Sequence, residues 1–115
     1  MTVKRVMPDL ETPDTAASQR FYTDVLGFET VMDMGWIVTL ADPTGGGQVS
    51  LFTHEATGPV VPVMSVEVDD VDAAYEAALA AGAEIVHPLT NEEWGVRRFF
   101  VRDPAGHVVN VLAHL

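Results

Sequence analysis

Apolar and polar residues alternate along several short runs of this chain, and each run stops at a cluster of Gly, Pro, Asp or Thr. Alternation with a period of two predicts strands with one face in a core. Lys4–Glu11, Phe28–Met34, Trp36–Ala41 and Gln48–Phe52 are such strands in the first half. Val60–Val68, Glu84–His87 and the two arms of Trp94–Asn110 follow in the second. The period changes twice. Ala17, Phe21 and Val25 recur every fourth residue, behind Asp14 as helix N-cap and ahead of Gly27 as a left-handed C-terminal cap. Val71, Ala74, Tyr75, Ala78 and Leu79 form a second amphipathic stripe, with Asp70 or Asp72 as its cap and Gly82 at its end.

The two halves repeat one order, β-α-β-β-β. Gly82 echoes Gly27, and the turn Asp103-Pro104-Ala105-Gly106 echoes the turn Asp42 to Gly47. Pro pre-sets φ in such a turn and Gly supplies the positive φ that closes it. Two copies of one supersecondary unit predict an α+β domain over residues 1-115, built from module 1 (1-57) and module 2 (58-115). One face of each four-stranded sheet takes its helix. If the two sheets curl so that their second faces meet, they enclose a cupped, mixed sheet.

Parity along each strand indicates what that second face carries. Arg5, Met7, Asp9 and Glu11 share it in the first strand, and Val63, Ser65 and Glu67 in the fifth. Ile37 and Thr39, then Gln48, Ser50 and Phe52, follow the same parity, as do Arg98, Phe100 and Arg102, then Val108, Asn110 and Leu112. An apolar wall with a few convergent polar groups is the composition of a small-molecule site. Trp36, Trp94 and Phe100 could stack on a planar or cationic ligand, and Trp94 beside Gly95 could equally lock the hairpin turn. Arg5 and Arg98 suit a carboxylate or phosphate.

Charge changes this picture in one respect. Lys and Arg total 6 against 17 Asp and Glu, a net charge of −11, and no Lys or Arg stands between Phe21 and Val96. Such a surface repels phosphate backbones, so nucleic acid is excluded as a partner, and cationic ligands are concentrated near it. High net charge also serves solubility alone. The absence of Cys excludes disulfides and thiolate chemistry. No apolar run is long enough for a membrane span, so no membrane partner and a cytoplasmic location are expected.

Candidate chemistry is sparse. Glu67 on an apolar wall is the one candidate base, with an ion pair to Arg98 or Arg5 as the favoured alternative. Ser50 and Ser65 have no His partner in a nucleophile pattern. His54, His87, His107 and His114 share no metal-binding spacing and are expected at surfaces and strand ends.

Ser18-Gln19-Arg20-Phe21-Tyr22-Thr23-Asp24-Val25-Leu26-Gly27-Phe28 resembles the S-x-x-F-Y-x-x-x-L-G-F helix signature of the vicinal oxygen chelate superfamily of glyoxalases, bleomycin-resistance proteins and extradiol dioxygenases. Trp94-Gly95 and Asp103-Pro104-Ala105-Gly106-His107 are similar to its W-G and D-P-x-G-[NH] hairpin. The resemblance covers nearly the whole chain. It implies paired βαβββ modules, a homodimer, and a cupped sheet that holds a small molecule. Many members bind a divalent ion through four strand positions, which here are Met7, Ser50, Val63 and Asn110. None is an imidazole or carboxylate, so no metal and no cofactor are expected. The resemblance therefore implies a metal-free binding protein like the bleomycin-resistance branch, which sequesters a compound without changing it. The alternative is a lyase, isomerase or dioxygenase using displaced ligands or Glu67.

Overall fold

The computed structural model describes all 115 residues and contains eight strands and two helices: β1 (Val3–Glu11), α1 (Thr15–Leu26), β2 (Glu29–Asp33), β3 (Ile37–Ala41), β4 (Gln48–Phe52), β5 (Met64–Val68), α2 (Val71–Ala80), β6 (Glu84–Glu92), β7 (Val96–Arg102) and β8 (Val108–His114). The class is α+β with mixed strand pairing. Two compact units are present, Met7–Val61 and Pro62–Leu115 with Met1–Val6. Each has the β-α-β-β-β order.

In the first unit the sheet order is β2-β3-β4-β1, antiparallel except for the parallel pair of β1 with β4. The helix side of this sheet is a small core of Val38, Leu40, Val49 and Leu51, with Tyr22 and Phe28 packed on it. Asp14 caps α1 by accepting from the Ala17 N–H at 3.0 Å, and Gly27 closes it at φ 74°. The expected burial stripe of α1 is overturned. Phe21 and Val25 keep 54% and 61% of their surface exposed, and Tyr22 is the residue that reaches the core. Tyr22 stacks on Phe28, and the two rings together cover the small core of this sheet.

In the second unit β5, β8, β7 and β6 lie in that order, with β5 and β8 parallel and the rest antiparallel. Val68, Val71 and Phe99 form its helix-side core, with Tyr75 edge-on to Phe99 at 5.0 Å. Asp70, rather than Asp72, caps α2 through the Ala73 N–H. Three expectations change here. Leu79 points outward at 47% exposure, because α2 presents Ala74, Tyr75 and Ala78 to the sheet. The strand at Val60–Val68 begins only at Met64, after Pro62 interrupts the run. The short strand at Glu84–His87 continues to Glu92, bending through two irregularities on either side of His87 rather than ending at Pro88.

Both Asp-Pro turns form as read. The Gly45 and Gly106 N–H groups each bond the carbonyl of the opening Asp at 3.0 Å. Asp103 Oδ1 also accepts from the Ala105 and His107 N–H groups. These bonds hold the Asp103 carboxyl below its ordinary range, the backbone bond from His107 contributing most.

Candidate functional site

The face of the second unit opposite α2 carries its buried polar residues. The pairing registers place Ser65, Asn110, Phe100 and His87 side by side on β5, β8, β7 and β6. The next row contains Glu67, Leu112, Arg98 and Thr90. Ser65, Glu67, Arg98, Phe100, Asn110 and Leu112 are all buried, as the alternation of each strand requires.

Arg98 is the deepest charge, 1% exposed. Its guanidinium lies over the rings of Trp94 and Phe100, 5.1 and 4.7 Å from their centres, and its Nε donates to Glu92 at 3.3 Å. Arg97, one residue earlier, points the other way and pairs with Asp72 of α2 at 2.8 Å. Glu92 Oε1 also takes a hydrogen bond from His87 Nε2 at 3.0 Å. Burial works against the ionisation of Glu92. The hydrogen bond from His87 and the charge of Arg98 outweigh it, holding the carboxyl below its ordinary 4.5.

Glu67 resolves to the ion pair rather than a lone base. Its Oε1 accepts from Arg5 Nε at 2.9 Å, and its Oε2 lies 3.2 Å from His114 Nε2. Asn110 Nδ2 donates to the Ser65 hydroxyl at 3.0 Å, and Asn110 Oδ1 is buried with no hydrogen-bond partner.

The first unit has a related row. Asp9, Ser50 and Thr39 are neighbours across β1, β4 and β3, and the Ser50 and Thr39 hydroxyls share a hydrogen bond of 2.9 Å. Met7, Asp9, Ile37 and Phe52 on the same side are buried. Trp36 is half-buried against Phe52 and His54.

The predicted site residues therefore separate as follows. Arg5, Ser65, Glu67, Trp94, Arg98, Phe100 and Asn110 belong to the second unit's face, and Met7, Asp9, Trp36, Ser50 and Phe52 to the first unit's. Val63 precedes β5 and is 48% exposed, and its N–H bonds the Val108 carbonyl at 2.9 Å, continuing the β5–β8 pairing. His87 is corrected, from a surface or strand-end residue to a half-buried partner of Glu92 and Phe100. Glu92 was not anticipated at all. The signal for both was weak, since the β6 irregularities break the alternation that identifies a face.

A groove of about 570 Å³ lies on the helix side of the second unit, between the end of α2 and the β7–β8 turn. Its charged neighbours Arg102 and Glu84 pair with each other at 3.0 Å, and Asp103 is committed to its turn. The polar rows are on the other face.

A family model described as the Glyoxalase/Bleomycin resistance protein/Dioxygenase superfamily matches residues 3–111. The chain belongs to this superfamily. Among curated relatives, CFP32 of Mycobacterium bovis, a protein provisionally named a glyoxylase, is 26% identical over 111 residues, 90% of this chain. The chain spans 42% of that relative's length. A superfamily member from Vibrio splendidus 12B01 aligns with a TM-score of 0.72 and 25% identity, over 97% of this chain and 99% of that one. The Mn(II)-bound glyoxalase of Novosphingobium aromaticivorans shares the fold at a TM-score of 0.65 and 22% identity, over 96% of this chain and 38% of that one.

The superfamily's divalent ion does not fit the residues present here. Met7 offers a thioether, Val63 nothing, and Ser50 and Asn110 are neutral groups hydrogen-bonded to Thr39 and Ser65. Hard and borderline divalent ions take imidazole or carboxylate ligands. Nor do three His, Asp or Glu side chains converge anywhere in the chain.

Proposed function

We propose that this superfamily member binds a small organic molecule without a divalent metal and without altering it. The observation that carries this reading is the Asn110–Ser65 pair: a neutral amide and a hydroxyl occupy the row where the superfamily's metal chemistry would need a charged ligand. The surrounding charges are already matched, Glu67 by Arg5 and Glu92 by Arg98. Sequestration of an antibiotic or similar compound is compatible with such a face.

The test is elemental analysis of the purified protein together with thermal unfolding in the presence of a chelator. Less than 0.1 metal per chain (roughly, allowing for adventitious ions) and an unchanged Tm are expected, since only a ligand bound by the native state adds stability. A stoichiometric divalent ion whose removal lowers the Tm overturns the reading.

A second reading, a lyase, isomerase or dioxygenase of the same superfamily, takes its support from His87 and Glu92 rather than from Glu67. A carboxylate orienting an imidazole is the arrangement of a general base. Turnover lost on His87→Gln, with folding intact, would favour it over simple binding.

We also propose that the chain works as a homodimer in the cytoplasm. Phe21, Val25 and Leu26 leave an apolar strip of α1 in solvent, which supports association. Light scattering that gives the monomer mass at micromolar concentration would refute the dimer.

A further inference from the structure

One nitrogen in the second unit is shared by two partners whose demands on it conflict. His114 Nε2 lies 3.2 Å from Arg5 NH2 and 3.2 Å from Glu67 Oε2, while Arg5 Nε donates to Glu67 Oε1 at 2.9 Å. A guanidinium only donates and a carboxylate only accepts, whereas one imidazole nitrogen does either but not both. With its proton on Nδ1, neutral His114 accepts from Arg5 and turns a lone pair towards Glu67. With its proton on Nε2, it donates to Glu67 and sets an N–H against that of Arg5. A second proton leaves only the donor role. His114 then forms a charge-assisted bond to Glu67, and a second cation stands 3.2 Å from the Arg5 donor. Like charges at that distance repel, so the contact between Arg5 and His114 opens.

The charge balance changes with it. Arg5 and Glu67 cancel while His114 is neutral, and the three groups carry one surplus positive charge once it is protonated. Glu67 is buried, but the Arg5 and His114 side chains keep 33% and 56% of their surface exposed, so the surplus faces solvent. The other charged groups around His114 are committed elsewhere. β7 places Val96 beside it in register, and Arg98, further along that strand, is bonded to Glu92 of β6. Asp69, past the end of β5, accepts from the Thr2 N–H, and Lys4 alternates to the opposite face of β1. Imidazole is the side chain whose charge ordinarily changes between about pH 5 and 8, so mild acid suffices to create the surplus.

We propose that Arg5 and His114 form a proton-gated site for a small oxyanion, closed while His114 is neutral and opened when it is protonated. The anion takes the Arg5 NH2 donor that His114 releases and the charge of the imidazolium beside it. This site goes beyond the metal-free binding reading and does not depend on it.

The test is an NMR titration of the full chain with sulfate, whose charge is the same at pH 5.5 and pH 8, at fixed ionic strength. The ¹⁵N resonances of Arg5 Nε and of the His114 ring report the site. At pH 5.5 sulfate should shift both saturably, with a Kd at least about five-fold lower than at pH 8, the factor for one added charge at about 4 Å in water. His114→Gln keeps a polar side chain at an exposed position but takes up no proton, so its affinity at pH 5.5 should match that of wild type at pH 8. Without sulfate, the wild-type Arg5 Nε resonance should titrate with the same midpoint as the His114 ring, and it should stay flat in His114→Gln. Separate midpoints overturn the coupling between the two side chains. Equal affinity at both pH values, a pH dependence that survives in His114→Gln, or sulfate binding that leaves both resonances unmoved overturns the gated site, as does no binding at either pH.

Discussion

Replacing Glu92 by Gln keeps the shape of the side chain and removes its charge, so it isolates what the carboxylate contributes to Arg98 and His87. Two charge-assisted hydrogen bonds meet at Glu92 Oε1, from His87 Nε2 at 3.0 Å and Arg98 Nε at 3.3 Å. A hydrogen bond to a charged group contributes about 1.5–3 kcal/mol and a neutral one about 0.5–1.5. The His87 bond becomes neutral, at about 1–1.5 kcal/mol, and the buried Arg98 guanidinium keeps a hydrogen bond but loses the counter-charge of Glu92, so the total should be about 2–3 kcal/mol. Unfolding entropy of about 2.1 cal/mol/K per residue gives about 0.24 kcal/mol/K for this chain, so the Tm should fall by about 8–12 °C. The control is Glu84→Gln, which removes an ion pair whose side chains are 39% and 64% exposed. Such a pair contributes at most about 1 kcal/mol.

Both variants would be compared with wild type by urea unfolding, with equal m-values as the sign that the transition is unchanged. The pH dependence supplies a second check. Glu92 titrates below its ordinary 4.5 in the folded protein, so its contribution is complete above that pH. It is lost as pH falls through the lower folded value, and the wild-type and Glu92→Gln curves should converge in acid. A loss no larger than that of Glu84→Gln at neutral pH would refute the claim that this network is a desolvated, cooperating unit.

Three further outcomes follow from the same structure. Phe99→Ala empties a site 1% exposed beneath α2 and should cost about 3–5 kcal/mol in urea unfolding. Asp14→Ala removes the acceptor of the Ala17 N–H and should cost about 1 kcal/mol, with lower helix content by circular dichroism near the midpoint. The Asp103 carboxyl is held below its ordinary value chiefly by the His107 N–H, so the turn's contribution is present at neutral pH and fades as pH falls through that lowered value. Amide exchange at His107 and Ala105 should accelerate in acid beyond the intrinsic rate in wild type, and not in Asp103→Asn.

The fold was legible because its local signals agree with one another. Asp14 and Gly27 mark helix ends by backbone chemistry that needs no tertiary partner, and the structure uses both as read, while of Asp70 and Asp72 it uses Asp70. Strand parity placed Ser50, Ser65, Arg98 and Asn110 on buried faces because a period of two leaves no alternative once the opposite set packs on a helix. The α1 stripe failed for a related reason. Spacing shows that Ala17, Phe21 and Val25 share a side, but which side meets the sheet depends on Tyr22 and Phe28 filling one gap above Leu40 and Leu51.

The site was less legible, and His87 shows why. Its neighbours Val86 and Pro88 suggest the end of a strand, and Pro lacks the donor that continued pairing would use. The chain instead continues through two irregular steps, each of which resets the alternation. Past such a step, parity no longer tells which face a side chain occupies, so neither His87 nor Glu92 could be assigned from spacing. What aligns them is contact: Phe100 beside His87 in register, and Arg98 drawing Glu92 inward from the same strand. The residues that could be read by alternation, Ser65, Asn110 and Phe100, supply the neutral and apolar part of the face. Those that escaped it supply the charge network and the imidazole. A reading confined to the regular strands therefore recovers a wall and misses the buried charge network beside it.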